Sequence, residues 1–163
     1  MFPDDIQTQA QAVVAAAIRR GLMLATVESC TGGLVAGALT AIAGSSAALD
    51  RGFVTYSNQA KADLVGVPAA LIETHGAVSE PVARAMATGA LSRSAAGLAV
   101  SVTGVAGPGG GSADKPVGLV HFAVADADGV IHVEKRFGDP GREAIRLDSV
   151  RTALNLLLAR LEP

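Results

Sequence analysis

Aromatic residues are scarce in this chain of 163 residues, where they make up 3% of the total, with one tyrosine and no tryptophan. Proteins that hold single-stranded nucleic acids rely on aromatic side chains that stack on the bases. The net charge is −2, and no run of Lys or Arg offers the basic surface that a phosphate backbone needs. The composition therefore argues against direct binding of nucleic acid, whereas a small anionic ligand requires only a few local cations.

Cysteine is almost absent as well. Cys30 is the only one, which excludes an internal disulfide and a zinc site built from several cysteines. The three histidines show no metal-ligand spacing, so we expect neither a metal nor a cofactor. No apolar run approaches the ~20 residues that span a bilayer, and the acidic start of the chain does not match a secretory signal. We expect a cytoplasmic protein that does not bind membranes.

Apolar residues make up half of the chain and charged residues 17%, which predicts a folded protein with one core. The length favours a single domain over residues 1–163. The predicted strands cover residues 22–27, 51–56, 98–102, 117–125 and 130–137. The predicted helices cover residues 6–20, 31–42, 57–64, 68–75 and 80–94, and a last one is capped by Asp139 and starts at Pro140. This order predicts an α/β fold, a three-layer α/β/α domain with a mixed sheet and helices on both faces.

Ligands of such sheets bind at the carboxyl ends of the strands. The segment from Glu28 to Gly33 lies at such an end, where a predicted strand becomes a helix. The unpaired N–H groups and the positive dipole end of a helix start suit anions and oxyanions. Ser29 is therefore a nucleophile, an anion ligand or only a helix cap, and Cys30 is interpreted as a packing residue.

A serine needs a base before it becomes a good nucleophile. No histidine lies at a predicted strand end, which argues against a Ser-His-Asp triad. Lys61 lies about one turn inside the helix that starts at Ser57, and the helix dipole and burial would both lower its pKa. A neutral Lys61 would accept the proton of Ser29, while an exposed surface lysine is the alternative. Tyr56 either orients Lys61 or the ligand, or is a half-buried strand residue.

A glycine-rich loop follows the third predicted strand. Its backbone N–H groups suit a phosphate, although it matches neither the P-loop nor the dinucleotide fingerprint. A flexible surface loop is the alternative. The loop glycines are Gly104, Gly107, Gly109, Gly110 and Gly111.

Arg142 and Arg146 are four residues apart near the start of the last predicted helix, so their like charges lie side by side. An anion between them would relieve the repulsion, and Glu143 or Asp139 would do the same. Glu28 is predicted to pair with an arginine or with Lys61.

Several segments together resemble the CinA C-terminal domain family, the nicotinamide-nucleotide amidases. They occur in order between about residue 6 and residue 160, and the ordered set is far more specific than any one of them. The segments are 28–33 (ESCTGG), 44–46 (GSS), 54–58 (VTYSN) with Lys61, 75–79 (HGAVS), 103–110 (TGVAGPGG), 115–118 (KPVG), and Arg142 with Arg146.

This resemblance implies an enzyme that converts nicotinamide mononucleotide to nicotinate mononucleotide and ammonia in pyridine-nucleotide salvage, without a metal. It implies that Ser29 is the nucleophile and Lys61 the base. Backbone N–H groups of Thr31, Gly32 and Gly33 would bind the oxyanion. Ser46, Tyr56 and Thr103 would orient Lys61 or the substrate, and the glycine-rich loop with an arginine would hold the 5′-phosphate.

Two alternatives compete with the amidase. One is a non-catalytic nucleotide-binding module, which would keep the loop and the arginines without needing Ser29 and Lys61. The other is a regulatory partner of DNA-processing proteins in competence. The predicted hairpin at 117–137 also has an edge that favours a homodimer.

Overall fold

A five-stranded sheet forms the centre of the protein in the computed structural model, which describes residues 1–162. The strands are β1 (Leu24–Glu28), β2 (Leu49–Val54), β3 (Leu98–Gly104), β4 (Leu119–Asp126) and β5 (Gly129–Arg136). They pair in the order β2-β1-β3-β4-β5. The first three are parallel, while β4 runs antiparallel to both β3 and β5. The sheet is therefore mixed, as predicted.

Within residues 1–162, six α-helices cover the two faces of this sheet. They are α1 (Asp4–Arg20), α2 (Leu34–Thr40), α3 (Asn58–Val65), α4 (Ala69–His75), α5 (Glu80–Ser92) and α6 (Arg142–Leu161). One face packs against α1, α2 and α6, and the other packs against α3, α4 and α5. The predicted α/β fold with helices on both faces is confirmed.

The central strand β3 is buried on both faces, which fixes where its carboxyl end lies. Val100 and Val102 point into the core formed with α1 and α6, whereas Ala99 packs on the other face. The hydroxyl of Ser101 donates to the carbonyl of Ala83 in α5 at 2.7 Å. Small side chains on this face let α5 lie close to the sheet.

Two helices begin later than predicted. The predicted helix over 31–42 starts at Leu34, because Gly32 (φ 58°) and Gly33 (φ 98°) have left-handed backbone that an α-helix cannot contain. The last helix starts at Arg142, and Gly141, with φ 98°, stands directly before it. The prediction that Asp139 caps this helix is therefore wrong.

Side-chain capping is confirmed at one predicted position and wrong at another. Ser57 caps α3, because its hydroxyl oxygen accepts the N–H of Ala60 at 3.0 Å. Ser79 precedes α5, but its hydroxyl donates to the carbonyl of Gly76 instead.

The predicted hairpin is confirmed, with its turn between Asp126 and Gly129. Its second strand, β5, forms one edge of the sheet, and the homodimer inferred from that edge stays a prediction. No helix within residues 1–162 has both the length and the hydropathy required to cross a bilayer.

Candidate active site

The three parallel strands end at one edge of the sheet, and each is followed by predicted site residues. Glu28, the last residue of β1, pairs with Val54, the last residue of β2, and with Val102 on β3, which continues to Gly104. The N–H of Ser29 then donates to the carbonyl of Val102 at 2.9 Å. This hydrogen bond holds Ser29 against β3, beside the start of the glycine-rich loop.

Ser29 lies within hydrogen-bonding distance of Lys61. The Lys61 Nζ is 3.1 Å from the Ser29 Oγ and 2.8 Å from the carbonyl oxygen of Thr55. The lysine extends from the first turn of α3, whose start is fixed by the Ser57 cap. The sequence did not indicate the Thr55 contact, because its acceptor is a backbone carbonyl.

The environment of Lys61 favours the neutral amine. The residue is 1% exposed, and burial lowers the pKa of its side chain from the usual 10.5. No carboxylate within residues 1–162 forms an ion pair with it. A neutral Nζ that donates one hydrogen to the Thr55 carbonyl still has a lone pair to accept the proton of Ser29. The predicted direction of the pKa shift is confirmed, and burial is its main cause.

The carboxylate of Glu28 holds the start of α2. It is fully buried and accepts hydrogen bonds from the N–H groups of Gly33, Val35 and Ala36, at 3.1, 3.0 and 2.9 Å. A charge at this position also stabilises the positive end of the helix dipole. The prediction that Glu28 pairs with an arginine or with Lys61 is therefore wrong.

This arrangement changes which amides are available to an oxyanion. Gly33 donates to the Glu28 carboxylate, and Gly32 donates to the carbonyl of Ser29 at 3.0 Å. The prediction that these two glycines are oxyanion donors is wrong, since their N–H groups already have acceptors. Within residues 1–162, the N–H groups of Cys30 and Thr31 make no hydrogen bond to a protein acceptor.

Arg146 stabilises the same turn from its carbonyl side. Its guanidinium donates to the carbonyl oxygens of Cys30 and Thr31, both at 3.1 Å. Two donors of a rigid, planar group thus fix two consecutive peptide planes next to the serine. The geometry gives Arg146 a role in holding the Ser29 turn.

Ser29 opens into a pocket of about 280 Å³, close to the lower end of the ~300–1,000 Å³ usual for small-molecule sites. The glycine-rich loop supplies much of its wall, and the start of α6 closes another side. Its lining residues are Ser29, Cys30, Tyr56, Val78, Gly104, Val105, Ala106, Gly107, Gly109, Gly110 and Arg142. Val78, Val105 and Ala106 were missed by the sequence analysis, because single apolar residues carry no motif.

Arg142 lies in this pocket, whereas Arg146 does not line it. The guanidinium of Arg142 donates to the carbonyl of Gly107 at 2.8 Å and lies 3.3 Å from the hydroxyl of Tyr56. The two arginines therefore donate to different protein partners, although both also line a second groove beside this site, and the anion predicted between them stays a prediction. Arg142 is the cation placed to meet a ligand near Ser29.

The loop glycines serve two different purposes. A Cβ on Gly104 would lie 2.8 Å from the carbonyl oxygen of Leu119, and one on Gly107 would lie 2.7 Å from a methyl of Val117. These two glycines permit close packing of the loop. A Cβ on Gly109 or Gly110 would meet nothing within 4 Å, so this part of the loop borders open space in the pocket.

Of the three predicted orienting residues, Tyr56 lines the pocket, whereas Thr103 and Ser46 do not. Tyr56 is 63% exposed and reaches Arg142 rather than Lys61. Thr103 is 1% exposed and donates its hydroxyl to the carbonyl of Ala77 at 2.9 Å. Ser46 is exposed in a 3-10 turn that precedes β2, so it lies at the amino ends of the parallel strands, away from Ser29. The prediction that Ser46 belongs to the site is wrong.

Other candidate nucleophiles and bases are less suited to this chemistry. Cys30 is buried, and burial raises the pKa of its thiol to about 12, so it is protonated at neutral pH. His121 and His132 stack on each other in the hairpin, with 2.9 Å between Nδ1 and Nε2. Within residues 1–162, no histidine forms a hydrogen bond with Ser29, and no group of three or more His, Cys, Asp or Glu is arranged to hold a metal ion.

A larger groove of about 660 Å³ lies beside this site, between the start of the chain, α2 and α6. Phe2, Leu34 and Leu147 give it an apolar lining, and neither Ser29 nor Lys61 contributes to it. We place the candidate site at the smaller pocket, because the paired nucleophile and base are there.

These features define an α/β/α protein with a buried lysine against a serine at the carboxyl edge of its sheet. The model of the CinA C-terminal domain matches residues 6–161, and the chain belongs to this family. The chain is similar to the competence/damage inducible protein CihA from Agrobacterium tumefaciens, whose crystal structure superposes on it with a TM-score of 0.97. The two sequences are 58% identical over 100% of this chain and 99% of CihA. A CinA superfamily protein from Klebsiella pneumoniae is 38% identical over 96% of this chain and 97% of its own, with a TM-score of 0.91.

Longer relatives match as well. A CinA-like protein of Synechococcus sp. strain RCC307 is 53% identical over 98% of this chain and 39% of its own length. A putative competence-damage inducible protein of Symbiobacterium thermophilum is 57% identical over 77% of this chain and 29% of its own length. The chain thus spans two fifths or less of the length of these relatives.

Proposed function

We propose that this chain hydrolyses the carboxamide of nicotinamide mononucleotide and releases nicotinate mononucleotide and ammonia. The observation that carries the proposal is the buried Lys61, whose Nζ is 3.1 Å from the Oγ of Ser29 at a pocket that contains Arg142. The names of the relatives refer to competence and damage induction and specify no reaction. The activity therefore rests on the chemistry of the site and on the family resemblance.

In the first half of the reaction, the Oγ of Ser29 attacks the carboxamide carbon while its proton moves to the Nζ of Lys61. The tetrahedral intermediate collapses when Lys61 returns this proton to the departing nitrogen, which leaves as ammonia. The nitrogen is bonded to the carbon that Oγ attacks, so it lies within reach of an Nζ 3.1 Å from Oγ. The product is an ester between Ser29 and the nicotinoyl group.

In the second half, water replaces ammonia. Lys61 takes a proton from the water while the hydroxide adds to the ester carbon. The bond between this carbon and Oγ then breaks as Lys61 returns the proton to Oγ. The nicotinate product leaves as the acid and releases its remaining proton to solvent. One lysine thus acts alternately as base and acid, which requires a pKa nearer to the working pH than that of a free lysine. Burial of Lys61 supplies that shift.

The oxyanion donor that we assign is the N–H of Cys30. It follows the nucleophile directly, Cys30 lines the pocket, and this N–H has no protein acceptor within residues 1–162. The N–H of Gly32 donates to the carbonyl of Ser29, which belongs to the same peptide unit as the Cys30 N–H, so the donor is held in place before the substrate binds. One such donor is worth about 3 kcal/mol in the transition state.

The decisive experiment is an ammonia-release assay with nicotinamide mononucleotide and no added metal, using the wild type, Ser29→Ala and Ser92→Ala. Ser92 is exposed at the end of α5, so its variant is a matched control that should keep full activity. We expect Ser29→Ala to lose at least about 10³-fold in kcat, because no covalent intermediate forms without the hydroxyl.

Two other results would point elsewhere. A wild type that binds the nucleotide by calorimetry but releases no ammonia would support the non-catalytic nucleotide-binding module, for which the names of the relatives suggest a role in competence. Full activity in Ser29→Ala would instead remove the serine mechanism while leaving the substrate assignment intact.

The pH dependence of kcat/KM provides an independent check on Lys61. Protonated Lys61 has no lone pair, so activity should rise with pH and level off above the pKa of this lysine. Because burial lowers that pKa from 10.5, the rise should be complete at a lower pH than a solvent-exposed lysine would allow. A rise centred at 10.5 or above would contradict the assignment, and the exposed-lysine variant Lys135→Ala should reproduce the wild-type profile.

Recognition of the phosphate is assigned to Arg142 and the open part of the glycine-rich loop. Arg142→Ala should raise KM for nicotinamide mononucleotide by about 10- to 100-fold, because a charge-assisted hydrogen bond contributes ~1.5–3 kcal/mol. KM for the riboside, which lacks the phosphate, should change much less. Arg136→Ala is the control, since Arg136 forms an exposed ion pair with Glu134 on β5. An equal rise in KM for both substrates would show that Arg142 does not bind the phosphate.

A further inference from the structure

The segment His75–Ser79, which joins α4 to α5, is fastened by side chains at three consecutive carbonyls. The carbonyl of His75 accepts from the ammonium of Lys115, and the carbonyl of Gly76 accepts from the hydroxyl of Ser79 at 2.8 Å. The next carbonyl, of Ala77, accepts from the hydroxyl of Thr103 at 2.9 Å. We call this segment the 75–79 loop.

Lys115 reaches this loop from the end of the glycine-rich segment. A tight turn fixes its own backbone, because the N–H of Ser112 donates to the carbonyl of Lys115 at 2.8 Å, and the N–H of Lys115 donates to the hydroxyl of Ser112 at 3.1 Å. The side chain of Lys115 therefore connects two chain segments that are about 40 residues apart in sequence.

Gly76 leaves space for the ammonium group of Lys115. Its φ of +76° is a conformation that favours glycine, and a Cβ there would lie 2.5 Å from the Nζ of Lys115. A side chain at this position would displace the flexible end of Lys115 from its present place. The contact between Lys115 and the 75–79 loop therefore depends on the glycine at position 76 as well as on the lysine.

Both connected segments form walls of the Ser29 pocket. Val78 in the 75–79 loop lines the pocket, and so do Gly109 and Gly110 in the glycine-rich loop. Lys115 does not line the pocket. Any effect of Lys115 on a ligand must therefore act through the position of these walls.

We propose that Lys115 is a positioning residue, which holds the 75–79 loop so that Val78 forms the apolar wall against the nicotinamide ring while Ser29 attacks. Thr103 is the second fastener of the same loop, through Ala77. The expected effect on catalysis rests on the proposed function. The contacts that hold the 75–79 loop do not depend on that function.

Lys115→Met tests the proposal, since methionine keeps an unbranched apolar stem and removes the donor. Amide hydrogen exchange of a peptide covering residues 75–79 should become faster in this variant, and Lys135→Met on the exposed face of β5 should leave it unchanged. This readout needs no substrate. Unchanged exchange in Lys115→Met would overturn the proposal.

Kinetics separate a positioning lysine from one that binds phosphate. With the loop loosened, kcat/KM should fall on the order of tenfold for both nicotinamide mononucleotide and its riboside, because misplaced groups near the reacting atoms slow the chemistry. The pH profile set by Lys61 should stay the same, and Lys115→Arg should restore part of the activity. A loss confined to the mononucleotide would show a direct phosphate contact and overturn the positioning role.

Val78→Ala provides a second route to the same conclusion if Lys115→Met folds poorly. It removes the wall and leaves the fasteners in place, so kcat/KM should fall for both substrates while exchange in the 75–79 loop stays as in the wild type. Full activity in Val78→Ala would refute the role of Val78 as the apolar wall against the nicotinamide ring. A wild type inactive on both substrates would refute the proposed amidase, while the exchange experiment would still decide whether Lys115 holds the loop.

Discussion

Replacing Lys61 with methionine is expected to abolish most of the amidase activity, with a loss in kcat of at least about 10³-fold. The Nζ of Lys61 is the only basic group within hydrogen-bonding distance of the Ser29 hydroxyl among residues 1–162, so no second group takes over the proton. Binding of nicotinate mononucleotide, measured by calorimetry, should change little, because Lys61 does not line the pocket. Stability should stay the same or rise, since a buried amine is replaced by an apolar side chain of similar length.

Two variants make this result specific. Lys61→Arg keeps the positive charge but cannot act as a base at physiological pH, so it should be as inactive as Lys61→Met. Lys135→Met, at an exposed position of β5, controls for the loss of a lysine and should keep wild-type kinetics. Substantial activity in Lys61→Arg would refute the role of Lys61 as the base and leave only an electrostatic one.

Replacing Glu28 with alanine should cause the largest loss of stability among the substitutions considered. Three N–H groups at the start of α2 would lose their acceptor, and each buried donor without a partner costs about 1–3 kcal/mol. We expect the free energy of unfolding, measured by urea denaturation, to fall by roughly 3 kcal/mol or more. The corresponding drop in Tm is about 6–12 °C for a protein of this size.

Glu28→Gln should lose less stability than Glu28→Ala, because its amide oxygen still accepts hydrogen bonds from the backbone. Its NH2 group then faces backbone donors, so some loss remains. Glu73→Ala, at an exposed position of α4, should change stability by no more than about 0.5 kcal/mol. If Glu28→Ala unfolded at the same urea concentration as Glu73→Ala, the carboxylate would not be the cap that orders this turn. At temperatures where Glu28→Ala remains folded, its activity should also be low, since Ser29 follows directly on the same turn.

The position of Ser29 in the site could be predicted from the sequence, whereas the contact made by Arg146 could not. Ser29 and Lys61 were predicted together because each follows the end of a parallel strand, and strand ends meet at one edge of the sheet. Arg142 and Arg146 looked equivalent, since helical spacing places both on the same side of α6. Their guanidinium groups separate only because one meets the loop carbonyl of Gly107 and the other meets the turn at Cys30.

Backbone acceptors and donors account for most of the errors. Glu28 was expected to pair with a cation, yet its partners are amides five to eight residues later in the chain. Thr103 was expected to orient Lys61 or the substrate, yet its partner is the carbonyl of Ala77. Such partners are present at every residue, so residue type carries no information about which of them a side chain will reach.

Apolar periodicity and strand-end positions are local properties of the chain, and they were enough to predict the α/β architecture, the location of the glycine-rich loop, and Ser29 and Lys61 as candidates at the same edge of the sheet. The folded chain was needed to see which arginine lines the Ser29 pocket, which amides are left for an oxyanion, and that Lys115 contacts the 75–79 loop. These features depend on distances between segments that are remote in sequence. Those distances are fixed by the packing of α5 and α6 against the two faces of the sheet.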